Sequence, residues 1–222
     1  LRRLQSYWTV FGAPDCHAQG LINEEGMIEV QRAGFALEPF VLHDGRWLSW
    51  AEARHSQSLD NGFVPVPSVL ADFCKVALTV SATAVKASNV WCAWLRYEVK
   101  NAGNTPANLK LALLARPFQV VPPWQSYREF GGVHPIHRAE WMHGALCVDR
   151  SLWVIPQRDA VGNVRAWLQP SFFNVSTSVA QSAVDDPSGL AQAEMIWDLP
   201  LAAGESRSVF VAVPFDAIAD DR

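Results

Sequence analysis

Five side chains in one stretch have the types that recognition chemistry asks for: Arg116, Trp124, Gln125, His134 and His137. An indole can stack on the apolar face of a sugar ring, while a guanidinium or carboxamide can hydrogen-bond its hydroxyls. Trp124 can equally plug the end of a core or dock against a neighbouring domain. His134 and His137 form the chain's one paired-histidine spacing, and a metal site would need a third ligand. Pro135 between them disfavours the helix that would present such a pair, so hydrogen-bonded loop histidines are the better reading and no metal is expected. Glu129, Glu140, Asp149 and Asp159 have the type needed for general acid or base work, since glycosidic chemistry uses paired carboxylates. Nothing in the sequence pairs any two of them. No GxSxG elbow, P-loop or Rossmann glycine set is present. No catalytic residue and no cofactor are therefore assigned.

The backbone that must hold these side chains is the segment Arg116–His137, RPFQVVPPWQSYREFGGVHPIH, with four prolines and two adjacent glycines. Pro122-Pro123 cannot donate ladder hydrogen bonds, so a preceding strand has to leave its sheet there. Gly131-Gly132 permits a path closed to other residues. The expectation is a stiffened loop, the usual seat of binding residues.

Around that loop the chain reads as strands. Leu21-Ile22 and Met27–Val30 flank a turn at Gly26, and Phe35–Leu42 and Arg46–Trp50 flank His43-Asp44-Gly45, a tight-hairpin signal. Residues 52–68 are polar, then proline-spaced, and suggest a long surface connection ending in an extended arm. Val76, Leu78, Val80 and Ala82 alternate on one face of a strand, and Trp91, Ala93, Leu95, Tyr97 and Val99 on one face of the next. Leu109–Ala115 is a third strand, running into Arg116. Such long strands with one wetter face indicate antiparallel sheets. Leu146–Val148 and Leu152–Ile155 surround Asp149-Arg150 as a further hairpin, and Val164–Leu168 is a short strand. Ser176–Asp186 shows weak order, before a turn or helix start at Asp185–Gly189. Gln192–Leu199 and Ser206–Val213 suggest a closing hairpin. No long amphipathic helix is evident. The fold class expected is all-β, an antiparallel two-sheet β-sandwich with little helix, forming one domain over residues 1–222.

Composition supports a large core and narrows the partners. Half of the 222 residues are hydrophobic, only 18% are charged, and the formal net charge is −4. No long basic run invites nucleic acid, and no apolar stretch approaches the 18 residues of a membrane span. The chain begins LRRLQSYW, without an initiator Met or an apolar signal core, and suggests a piece of a larger protein whose compartment is unknown. Cys16, Cys74, Cys92 and Cys147 lack CxxC spacing. Cys74 and Cys92 lie in strand-like runs and are expected to be buried thiols. Of the ten tryptophans, Trp91, Trp94, Trp153 and Trp197 sit in strand patterns, whereas Trp124, Trp141, Trp47 and Trp50 sit near loops.

The run LARPFQVVPPWQ followed by GGVHPI closely resembles a segment of large bacterial proteins that carry a discoidin-type module and a six-hairpin glycosidase-like domain. GLINEEGMIEVQRAGFALEPF, LSWAEARHSQSLDNGFVPVPSV and LRYEVKNAGNTPANLKLALLARPF resemble the same family. The similarity spans residues 20–137, and more loosely the rest through VDDPSGLAQ. It implies a β-supersandwich similar to the galactose mutarotase-like sandwich that precedes a helical barrel in several glycoside hydrolases. In such enzymes the catalytic carboxylates belong to the barrel. The resemblance therefore implies a non-catalytic sandwich domain of a carbohydrate-active protein, with a helical-barrel domain of the same chain and carbohydrate as partners. A carbohydrate-binding module with its own glycan affinity is the alternative. An aldose-epimerase-like enzyme is a third reading, and its histidine–glutamate pair does not map onto residues of this chain.

Overall fold

The computed structural model describes residues 6–31, 34–125, 132–157, 160–165 and 181–215; the side chains of Trp124 and of residues 161–165 are not among what it describes. The first part of the chain forms β1 (Trp8–Phe11), β2 (Gly20–Asn23), β3 (Ile28–Glu29), β4 (Ala36–His43) and β5 (Arg46–Leu48). The middle forms β6 (Arg54–Asp60), β7 (Val64–Asp72), β8 (Val76–Ala87), β9 (Val90–Asn101) and β10 (Ala107–Arg116). The last part forms β11 (Arg138–Met142), β12 (Ala145–Val148), β13 (Leu152–Pro156), β14 (Val161–Arg165), β15 (Ala183–Asp185), β16 (Gln192–Leu201) and β17 (Ser206–Pro214). The helices among the described residues are two single 3₁₀ turns, Trp50–Glu52 and Pro123–Gln125.

These strands make two sheets, and every pairing between strands is antiparallel. One sheet has eight strands in the order β1-β2-β3-β4-β10-β16-β14, with β5 paired to β4. The other has nine, in the order β15-β11-β12-β13-β17-β9-β8-β7-β6. The fold is an all-β two-sheet sandwich. Its core follows from strand alternation: Leu95 and Tyr97 of β9 and Leu111 and Leu113 of β10 are all fully buried. Val76, Leu78, Val80 and Ala82 of β8 join them, as their period-two spacing requires. Trp91 lies at the margin, half-buried against the same core.

The hairpins at Asp44-Gly45 and Asp149-Arg150 form as expected. Both residues of each pair take positive φ, at 51° and 73° and at 47° and 62°, a twist that suits tight antiparallel connections. Several expectations need correction. Residues 52–68 are not a surface connection, because β6 and β7 pair as a hairpin around Asn61-Gly62, again both at positive φ. Pro65 and Pro67 are accommodated because β8 pairs with β7 only from Ser68 onward, so the prolines miss the inner ladder. β16 and β17 are not a hairpin, since they lie in opposite sheets. Cys74 is exposed in the turn between β7 and β8 at φ 72°, whereas Cys92 is buried. Finally, a wetter outer face holds for β9, with Arg96 and Lys100 exposed, but fails in the first sheet. There Phe40, Ala112 and Leu114 form a second small buried cluster, packed by Trp47 and Ile196.

The turn from β16 to β17 and the turn from β9 to β10 both cross between the sheets at one corner. Asn101 ties them together. Its Nδ2 donates to the carbonyls of Thr105 at 2.8 Å, Leu201 at 3.2 Å and Ala202 at 3.1 Å. Its Oδ1 accepts from the Gly103 N–H, and its side chain is only 2% exposed. The stretch Val164–Leu168 is shifted in the structure to β14, Val161–Arg165, and residues 166–168 lie outside the described residues. Of the stretch of expected weak order, residues 176–180 lie outside the described residues, and Ala183–Asp185 forms the short strand β15, paired with β11.

Candidate functional site

A cleft among the described residues has a volume of about 1390 Å³. It opens between the edge strand β6, the β2–β3 turn and the segment that follows β10. Its lining includes Glu38, Trp50, His55, Gln57, Arg116 and Phe118. Alternation along β4 explains Glu38. Leu37 and Val41 enter the sandwich core, so Glu38 and Phe40 must project from the other face. Glu38 is 7% exposed, and a carboxylate this buried requires partners.

It has them. Trp50 Nε1 donates to Glu38 Oε1 at 3.1 Å, and Arg116 Nη1 donates to Glu38 Oε2. The guanidinium also lies over the Phe118 ring, 4.8 Å from its centroid. Trp50 is delivered by the 3₁₀ turn Trp50–Glu52, where Ser49 and Glu52 close a capping box. The result is a fixed array of one carboxylate, one guanidinium and two aromatic rings at the cleft. These groups can accept and donate hydrogen bonds and offer flat apolar surface to an uncharged polyhydroxylated ligand.

The segment Arg116–His137 closes on itself beside this array. β10 ends at Arg116, before the Pro122-Pro123 pair. Phe118 bridges to Val133, His134 N donates to Pro117 O at 3.1 Å, and Gln119 N donates to Gly132 O at 3.1 Å. The buried Glu29 anchors the turn through its Oε2, which accepts from Val120 N at 2.8 Å. Gly132, at φ 97°, faces Pro123, and a Cβ there would meet the proline ring at 2.5 Å. Gly131 lies outside the described residues.

The five residues singled out in the sequence separate. Arg116 lines the cleft. Gln125 is engaged by the backbone of Ser6, accepting from its N–H at 2.7 Å and donating to its carbonyl at 2.9 Å. Trp124 falls in the turn Pro123–Gln125, with its side chain outside what is described. His134 and His137 do not line the cleft, and His137 is exposed, its backbone N–H donating to Asp149 Oδ1 at 2.9 Å. That same oxygen accepts from Arg138 N at 2.7 Å, so Asp149 serves the β12–β13 corner. Glu140 pairs with Arg138, and Glu129 and Asp159 lie outside the described residues. No group of three His, Cys, Asp or Glu among the described residues is placed to hold a metal ion.

Sequence reasoning missed Glu38, His55 and Gln57. One signal was present for Glu38, a lone carboxylate within the apolar run ALEPFVL. The β6 residues carry none, because the polar, proline-spaced stretch 52–68 reads as a connection. No protein-family model matches the chain, and no curated protein matches it.

Proposed function

We propose that the chain is a non-catalytic β-sandwich domain of a carbohydrate-active, glycoside hydrolase-like protein, and that its cleft contacts glycan. The observation that carries this reading is the Trp50–Glu38–Arg116–Phe118 array on the cleft. Both oxygens of Glu38 already accept hydrogen bonds from the protein, which suits a group that positions donors better than one that transfers protons. The resemblance carried by the Arg116–His137 run supplies the link to carbohydrate. Isothermal titration against neutral glucans, galactans, mannans and xylans tests it. Binding that Trp50→Ala weakens at least about tenfold supports the reading. Absence of binding across that panel overturns it.

Bracing of a helical-barrel domain is a second role, favoured by one observation. Trp94 and Ile155 on the outer face of the nine-stranded sheet are 39% and 40% exposed, beside the Phe210 ring, 5.7 Å from that of Trp94. Co-purification of this chain with such a barrel domain, lost in Trp94→Lys, is the expected result. Equal recovery with Trp94→Lys overturns this placement of the contact.

A further inference from the structure

We propose, resting on the glycan-contacting reading, that the ligand is an extended neutral oligosaccharide laid lengthwise along β6, rather than a single sugar. The cleft does not end at Gln57. A side cavity of about 220 Å³ adjoins it and shares both Asn23 and Gln57 as walls. β6 supplies consecutive residues to the two spaces: Arg54 to Gln57 border the cleft, and Gln57 to Leu59 border the side cavity. At about 3.3 Å per residue the path from Arg54 to Leu59 runs about 16 Å, longer than one pyranose ring. The cleft alone, at about 1390 Å³, already exceeds the usual size of a small-ligand pocket.

The chemistry changes along this path in a way that defines the ligand. In the cleft the charges are mixed, and Arg116 and Glu38 neutralise one another. In the side cavity the polar side chains are Thr9, Asn23 and Gln57, none of them charged. Ser58 and Ser68 border it from strands whose side chains at these positions project from the opposite face, where Ser68 Oγ meets Ser81 Oγ at 2.7 Å. Asn23 Oδ1 accepts from Glu25 N at 3.0 Å and Met27 N at 2.8 Å, so the group it offers a ligand is its amide nitrogen. Hydroxyls and carboxamides beside aliphatic Ile22, Leu59 and Val69 match a neutral sugar, which presents both hydroxyls and apolar C–H faces. An anionic polymer finds no cation there. β6 is also an edge strand, so its outward backbone groups can extend the polar track between the two spaces.

The test is calorimetric titration of the whole chain with gluco-, galacto-, manno- and xylo-oligosaccharides of increasing length, from the monosaccharide upward. Affinity for the bound series should rise about tenfold or more with length and then level off. Leu59→Trp, at a position that shares the inward face of the sheet with Val69, fills the side cavity and should lower affinity for the long oligomers about tenfold. Affinity independent of length, with binding retained, overturns the extended path and leaves the glycan reading intact. Length dependence that Leu59→Trp does not change overturns the role of the side cavity. No binding by any oligomer overturns both.

Discussion

Arg116 and Glu38 meet diagonally across neighbouring strands, Nη1 of the guanidinium donating to Oε2 of the carboxylate. Their side chains are 23% and 9% exposed, so the pair is mostly withdrawn from water. Removing one partner strands the other charge, whereas replacing both with apolar groups does not. Glu38→Ala should therefore destabilise the fold by about 2–3 kcal/mol, and the double variant Glu38→Leu/Arg116→Met should recover most of that loss. Denaturant midpoints for the single and double variants check this, and additive losses would refute it.

Leu95 is fully buried at the centre of β9, opposite Ala82 and Val211. Leu95→Ala should cost about 2–5 kcal/mol, through lost transfer energy and the cavity left behind. A loss below about 0.5 kcal/mol by urea unfolding would contradict the assigned face.

The thiols should separate by reactivity. Burial pushes the Cys92 thiol above its ordinary value, which lowers its thiolate fraction, while Cys74 is exposed. In the native protein at mildly alkaline pH, iodoacetamide should label Cys74 well before Cys92. Peptide mapping reads the order, and equal rates would show that β9 opens readily.

Tyr97 gives a pH dependence with a definite sign. Burial raises its hydroxyl far above the ordinary value near 10, so the folded chain keeps the proton that the unfolded chain releases. Above about pH 10 the unfolded state binds fewer protons, and stability falls as pH rises; below that it is fully present. The hydroxyl has no hydrogen-bond partner among the described residues, so Tyr97→Phe should cost less than about 1 kcal/mol at neutral pH. The same variant should flatten the decline between pH 9 and 11 in urea titrations at stepped pH. An unchanged slope would assign the decline to other groups.

The domain should not accelerate sugar anomerisation. His55 and Glu38 share the cleft, but Glu38 already accepts from Trp50 and Arg116. Polarimetry with galactose and glucose should show the spontaneous rate. Acceleration abolished by Glu38→Gln or His55→Ala would restore the epimerase reading.

Local pattern made much of the sandwich legible. Alternation at Val76–Ala82 and Ala93–Val99 identified the inward faces, and Asp44-Gly45 and Asp149-Arg150 marked their turns. The pairing of β16 with β10, and not with β17, was not legible. A short turn between two alternating strands reads the same whether the chain folds back or steps to the opposite sheet. The hairpin of β6 and β7 was hidden because its prolines argued against a strand, although Asn61-Gly62 was in plain view. The cleft was the least legible part. Glu38, Trp50, His55 and Arg116 come from separate strands and turns: the long-range pairing of β4 with β10 joins Glu38 to Arg116, and Trp50 and His55 arrive from a 3₁₀ turn and an edge strand of the other sheet.

Asn101 has a bearing on the order of folding. The carbonyls it grips at Leu201 and Ala202 lie 100 and 101 positions away along the chain. Each of the two crossings can form a turn locally, but the clasp between them waits for half the chain to be synthesised and drawn together. Closing so long a loop has a large entropic cost before any contact rewards it, and non-local pairing of this kind slows folding. Until that moment β9 lacks its neighbour β17 and β10 its neighbour β16, so each carries an open hydrogen-bonding edge. The interval before closure, more than the finished sandwich, is when this chain is most open to wrong partners.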